Sequence, residues 1–311
     1  MTARASGRWF GPLMVAAACV QAATFAARPM VSYRAIEIGA GNLGIGLITA
    51  GFSVLPLFAA VSAGRWVDAA GERGAALLGA ALITGSALAL APARSLWALV
   101  LLNALFGLGH LLSIVAQQAV IANRVGAGGH DRAYARFTVF TSFGQLVGPS
   151  AAALVAGGTL TSSGNAAGVG PALAVAAGFG LVAGLASVRA GGGRAPGERA
   201  GDRRFPLRGT LGQEGMWQAL VTSLATVSTI DLVLAYLPAW GDSRGVGVVA
   251  VGALLALRAA ATMASRLIME RLVFRYGRRA VLVTSTVAAA LSVAALPLCG
   301  PVAAVPVVAL M

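Results

Sequence analysis

Nine apolar runs, each close to the length of a membrane crossing, dominate the chain: roughly 10–27, 41–63, 75–93, 96–121, 137–157, 170–188, 216–238, 246–265 and 280–298. A helix needs ~20 apolar residues to cross a bilayer core. A tenth run begins near 302 and meets the end of the sequence at Met311. In hydrocarbon a backbone must satisfy its hydrogen bonds within its own segment, so the runs are read as helices. Ala, Gly, Val and Leu fill them, and residues this small let helix backbones approach closely, which predicts a packed bundle. Of the 311 residues, 58% are hydrophobic and 11% charged. A soluble domain carries about 25% charged residues. The fold class is therefore all-α, a polytopic membrane protein with lipid as its solvent.

The net charge of +13 comes entirely from arginine, since the chain has no lysine. Its distribution argues against a nucleic-acid footprint. When the connections between runs are sorted by side, the N-terminus and the 2–3, 4–5, 6–7 and 8–9 connections hold 18 arginines. The opposite side holds four: Arg28, Arg34, Arg94 and Arg244. By the positive-inside rule the N-terminus and the arginine-rich connections are cytoplasmic. This predicts a multi-pass protein of the cell (plasma) membrane. Arg4 and Arg8 ahead of the first run also suit a signal peptide, but the run is long enough to cross and is read as an uncleaved first helix. Cys19 and Cys299 sit far apart in apolar runs and suggest neither a disulfide framework nor a metal site.

The stretch 190–215, rich in Gly and charge and holding Pro196 and Pro206, reads as a flexible cytoplasmic linker. It divides the chain into a six-helix N-terminal bundle (1–189), the linker (190–215), and a partial C-terminal bundle (216–311) of three helices plus the start of a fourth. If the halves were equal the second would need about three more helices, so the chain is expected to be C-terminally truncated. Residues 64–73, Gly-Arg-Trp-Val-Asp-Ala-Ala-Gly-Glu-Arg, form a charged hinge between two apolar runs. A related hinge, Glu-Arg-Leu-Val-Phe-Arg-Tyr-Gly-Arg-Arg, returns 206 residues later at 270–279. A repeat of this period in a hydrophobic chain points to two copies of one membrane module.

The two hinges carry a resemblance to the major facilitator superfamily, whose hinge motif runs Gly-x-Leu-x-Asp-Arg-x-Gly-Arg-Arg. The first copy keeps Gly64, Asp68, Gly71 and Arg73 and departs at Trp66, Ala69 and Glu72. The second keeps Leu272, Arg275, Gly277, Arg278 and Arg279 and departs at Glu270 and Phe274. In the fifth run, Gly144-Gln-Leu-Val-Gly148-Pro149-Ser-Ala-Ala152-Ala153 resembles the Gly-x-x-x-Gly-Pro-x-x-Gly-Gly motif of the family's drug and metabolite antiporters. Its Pro149 removes a backbone bond, which suits a bend, and Gly148 permits close helix contact; a plain packing kink is the other reading. The arginine expected four residues before a glycine in the fourth run is absent, with Asn103 standing before Gly107. The resemblance implies a twelve-helix bundle, here incomplete at about nine to ten helices. It also implies that Asp68 latches the two halves on the cytoplasmic side; the alternative reading makes Asp68 a helix cap beside the third helix.

A transporter needs a polar path, and polar side chains in lipid are costly unless they face one. The fourth run offers Asn103, His110 and Gln117 at seven-residue spacing, one helix face with ~20° of drift per step. The first run adds Gln21 and Thr24. The resemblance places helices one and four along the cavity; the alternative is interhelical hydrogen bonding. His110, with an ordinary pKa near 6.5, would suit proton exchange. Asp231 in the seventh run is a coupling candidate, with Arg258 in the eighth as its candidate ion-pair partner. Thr222, Thr226 and Thr229 form a polar face of the seventh run, roughly opposite Asp231.

The expected activity is secondary transport of a small molecule by alternating access, with proton-coupled efflux favoured by the fifth-run motif. Metabolite–proton symport and a transport-incompetent remnant are the alternatives. No phosphate loop, metal-binding pair or Ser-His-Asp set is present, so no enzyme and no cofactor is expected. The expected partners are a small-molecule substrate, protons and the bilayer, with no nucleic acid and no obligate protein partner.

Overall fold

In the computed structural model the chain is a set of long helices. The structure describes residues 8–126, 128–158, 168–191 and 216–310; within these, some helical side chains, among them those of Asp68, Thr222, Thr226, Glu270 and Arg278, lie outside the described set. The helices are α1 (Phe10–Glu37), α2 (Asn42–Ala70), α3 (Glu72–Leu90), α4 (Leu96–Arg124), α5 (His130–Gly158), α6 (Val169–Ala190), α7 (Met216–Ser243), α8 (Val248–Tyr276), α9 (Arg278–Ala295) and α10 (Pro301–Leu310). Eight of them are long and apolar enough to cross a membrane; α7, whose side chains are described only in part, and the short α10 are not among the eight. Every run expected to be a span is helical. The linker expected at 190–215 lies, from residue 192 onward, outside the described residues.

The repeat read in the hinges extends through three helices. Adding 206 to the bounds of α1 and α2 gives the bounds of α7 and α8 to the residue, and the same shift places α3 on α9 within one residue. The turns repeat as well. After α1, Gly39 N–H donates to Ile36 and Ala40 N–H to Ala35. After α7, Gly245 donates to Asp242 and Val246 to Gly241. Both are Schellman caps, closed by a glycine at positive φ. At the hinges, Gly71 (φ 82°, ψ 150°) and Gly277 (φ 80°, ψ 152°) have the same backbone conformation. A side chain is strongly disfavoured there, so glycine is what allows two long helices to be joined by one residue. Chain geometry and sequence period thus describe the same duplication.

Within the first six helices, α1 is the axis. It packs along α5 and α6, while α3 packs on α4 and α6 and α2 on α4. Of its spanning stretch 67% is buried, against 11% for that of α9. The α1–α5 contact is set by glycine. A Cβ at Gly144 would occupy the space of the Ala18 carbonyl, and one at Gly148 that of the Ala22 carbonyl. Helix α5 runs unbroken through Pro149. Outward-facing large apolar side chains such as Leu57, Phe58, Leu101, Leu154 and Leu181 present the lipid surface.

Two sequence expectations need correction. Arg28 and Arg34 were placed in an outer connection after a first run ending near 27. Helix α1 instead continues through Pro29 to Glu37, and both arginines are buried in it. A proline inside a membrane helix is tolerated because neighbouring helices resatisfy the backbone. Asp68, read as near the cap of the third helix, lies in the last turn of α2, and the residue at the α3 cap is Gly71.

Candidate functional site

One face of α1 carries Gln21, Thr24 and Arg28, and its partners are distributed over α4, α5 and α7. Thr24 Oγ1 lies 2.9 Å from the Val20 carbonyl and 2.8 Å from His110 Nδ1 on α4. With the hydroxyl proton given to Val20, the imidazole Nδ1–H is the donor to Thr24. The His110 ring stands 5.8 Å from that of Phe52 on α2. Gln21 Oε1 accepts from Gln145 Nε2 on α5 at 3.5 Å. The stripes expected on the first and fourth runs therefore meet at Thr24 and His110.

Their other members do different work. Asn103 Nδ2 donates to the Ile48 carbonyl of α2 at 2.8 Å and is buried, so it binds two helices together. Gln117 is buried, and neither amide atom has a hydrogen-bond partner among the described residues. It borders a gap of about 10 Å³ that it shares with Glu72, Arg73 and Ser187, room for a single water.

An ion pair joins α1 to α7. Arg28 Nη1 stands 2.6 Å from Asp231 Oδ1 on α7, with side-chain exposures of 8% and 21%. The guanidinium also lies over the Phe52 ring, 4.6 Å from its centroid, a favourable cation–π placement. The expected partner of Asp231 was Arg258, and the structure corrects this: among the described residues, the ion pair of Asp231 is with Arg28. Arg258 is buried on α8 with 4% exposure, and its Nε has no partner among the described residues. Thr222 and Thr226, expected as a polar face of α7, have side chains outside the described residues.

The pair also occupies a special place in the duplication. The 206-residue shift carries Asp231 back onto Phe25 and Arg28 forward onto Leu234. Phe25 and Leu234 share one apolar cluster with Val233, Leu237, Val251, Leu254 and Leu255. Of two equivalent contacts between α1 and α7, one is apolar and the other is charged.

The contacts between the first six helices and α7–α8 lie away from the hinges. Tyr236 Oη donates to the Asn42 carbonyl at 3.1 Å. Gly252 faces Ala153 and the Pro149 carbonyl, and Gly157 faces Val249. The fifth-helix motif thus serves two contacts: Gly144 and Gly148 receive α1, while Pro149 and Ala153 receive α8. At the hinge end, Arg124 caps Ala190 at 3.0 Å and lies 5.2 Å from the Trp9 ring. The hinge residues Arg73, Arg275 and Arg279 are exposed, Leu272 is half-buried, and nothing crowds the Gly64 Cα. Glu72, a departure from the hinge motif, proves to be 3% exposed and accepts from Asn123 Nδ2 of α4 at 2.5 Å. Sequence reading passed over it; the signal available was an acid at the first position of an apolar helix, where the dipole favours it.

A helical membrane protein built as a duplicated set of helices has the architecture of the transporters made of repeated halves. The sequence profile of the Major Facilitator Superfamily matches residues 13–311, and the chain belongs to that family of membrane transporters. No curated protein sequence matches it significantly. Among solved structures, a mutant of the nucleoside transporter NupG superposes with a TM-score of 0.79 at 12% identity, covering 97% of this chain and 78% of that one. A bacterial homolog of the human lysosomal transporter Spinster, inward-facing and unoccupied, gives 0.72 at 14% identity over 98% and 72%. A D-xylose–proton symporter gives 0.65 at 14% over 97% and 78%. At these identities the likeness is one of fold.

Proposed function

We propose that the chain is a secondary transporter of a small molecule, working by alternating access and coupled to protons, with efflux as the favoured direction. The observation that carries this reading is the Arg28–Asp231 pair. It joins α1 to its duplicate α7 within the bundle, and a buried pair of this kind costs free energy to break unless something replaces a partner. Protonation of Asp231 removes the attraction, and a substrate that binds either group does the same. The pair is therefore a switch between two arrangements of the halves.

The arginine-rich hinges mark the cytoplasmic side under the positive-inside rule. The contacts between halves cluster at the opposite ends, at Tyr236–Asn42 and Gly157–Val249. The arrangement is then one closed to the outside and open to the cytoplasm, in keeping with the likeness to an inward-facing structure. The antiporter-type motif from Gly144 to Ala153 supports efflux, since its residues form the contact on which the two halves would roll.

The test uses vesicles containing the full chain, loaded with a panel of small solutes and carrying an internal pH dye. An outward gradient of the right solute is expected to acidify the interior, and Asp231→Asn is expected to abolish that acidification. Solute movement without proton movement, or unchanged coupling in Asp231→Asn, contradicts the assignment of Asp231; no movement of any solute contradicts transport.

A further inference from the structure

We propose that the cargo is an organic anion whose carboxylate or phosphate group is held between Arg28 and Arg258. The proposal rests on the transporter reading above and names its substrate class.

Three charged side chains lie at one depth in the bundle. Arg28 is nine residues before the end of α1, Asp231 twelve before the end of α7, and Arg258 ten after the start of α8. At 1.5 Å per residue these are about 14, 18 and 15 Å from the ends opposite the hinges. The three converge laterally as well. Arg28 bonds Asp231. Phe25, one turn from Arg28, shares an apolar cluster with Leu254 and Leu255, one turn from Arg258. Among the described residues the local count is two guanidinium groups against one carboxylate.

That excess is buried. Arg28 and Arg258 are 9% and 4% exposed, and Arg28 Nη2 and Arg258 Nε each lack a hydrogen-bond partner among the described residues. An unpaired cation at this depth is among the costliest groups a membrane bundle can hold. One added negative charge would balance the cluster. Guanidinium presents planar paired donors that match carboxylate and phosphate oxygens, and Nη2 of Arg28 remains free while Nη1 holds Asp231. The shift of 206 residues places Arg258 where the first half has Phe52, the ring beneath Arg28. The duplication has thus been broken at two positions, Arg28 for Leu234 and Arg258 for Phe52, and both changes add positive charge to the same region. A cationic cargo is repelled by both, and a neutral one gains hydrogen bonds but no charge compensation.

Full-length protein in neutral detergent, at constant sodium chloride, is heated with sodium benzoate, inorganic phosphate, glucose or tetramethylammonium chloride. Benzoate or phosphate is expected to raise the unfolding temperature saturably, and whichever does so identifies the oxyanion class; glucose and tetramethylammonium are expected to leave it unchanged. Arg258→Gln is expected to weaken the anion response about tenfold or more and to raise the unfolding temperature without anion, because it removes a buried cation that has no ion pair among the described residues. Arg258→Lys is expected to keep part of the response. No stabilisation by either anion, or a full response in Arg258→Gln, overturns the proposal. So does a fall in the anion-free unfolding temperature of Arg258→Gln, which would show that the protein already neutralises Arg258. Proton-coupled movement of a neutral or cationic solute in the vesicle assay would leave the transporter reading standing while the anion assignment fell.

Discussion

The decisive residues are one arginine and one aspartate that lie 203 positions apart in the chain. Asp231 was visible in the sequence because an acid inside an apolar run is a functional candidate by itself. Arg28 was not, because Pro29 follows it, and a residue before proline is biased away from helix. That local bias was overridden by the packing of α1 against its neighbours. Arg258 was recognised as intramembrane but paired with the wrong group, since sequence carries no information about which of two arginines faces an acid on another helix. The two members of the pair are coupled. Removing either alone takes from a largely buried group its direct partner, at the lower end of ~3–5 kcal/mol because Asp231 retains some exposure. Arg28→Gln and Asp231→Asn are each expected to lower the unfolding temperature, and the double variant to lower it less than the sum of the two. Additive effects in this cycle would contradict a direct interaction.

At the scale of elements, helix positions were legible to within a few residues over most of the chain, because runs of apolar residues report membrane helices directly. The ends were less so. Helix α1 extends about ten residues past its apolar run and α8 about eleven, carrying charged residues at their ends that hydropathy reads as loop. Contacts between helices were legible only where small residues marked them. The Gly144–Gly148 spacing signalled a close approach but not its partner, which is the backbone of α1. This contact leaves no room for a side chain. Gly144→Val is expected to prevent close packing of α1 on α5 and to cost more than the ~1–3 kcal/mol typical of overpacking, read as loss of monodisperse protein in detergent. Gly64→Ala, with open space around it, is the matched control and is expected to behave as the parent; equal behaviour of the two variants would contradict the packing role.

For the molecule as a whole, the repeated hinge was the feature that carried furthest. It predicted a period of 206, and that period reproduces helix bounds, two Schellman caps and two identical glycine conformations. What the period could not supply is which of the differences between the copies meet in space, and those at Arg28, Phe52, Asp231 and Arg258 are where the candidate site lies. The central claim is that the two copies move against each other and that the Arg28–Asp231 pair holds one arrangement. Spin labels on Arg132→Cys of α5 and Arg271→Cys of α8, both exposed near the hinge end, report that motion in a background with Cys19 and Cys299 replaced by serine. With the pair intact, the distance distribution between labels is expected to show one long separation. Adding Asp231→Asn is expected to bring in a second, shorter population as the hinge end closes. A single distribution that does not respond to Asp231→Asn would contradict the account.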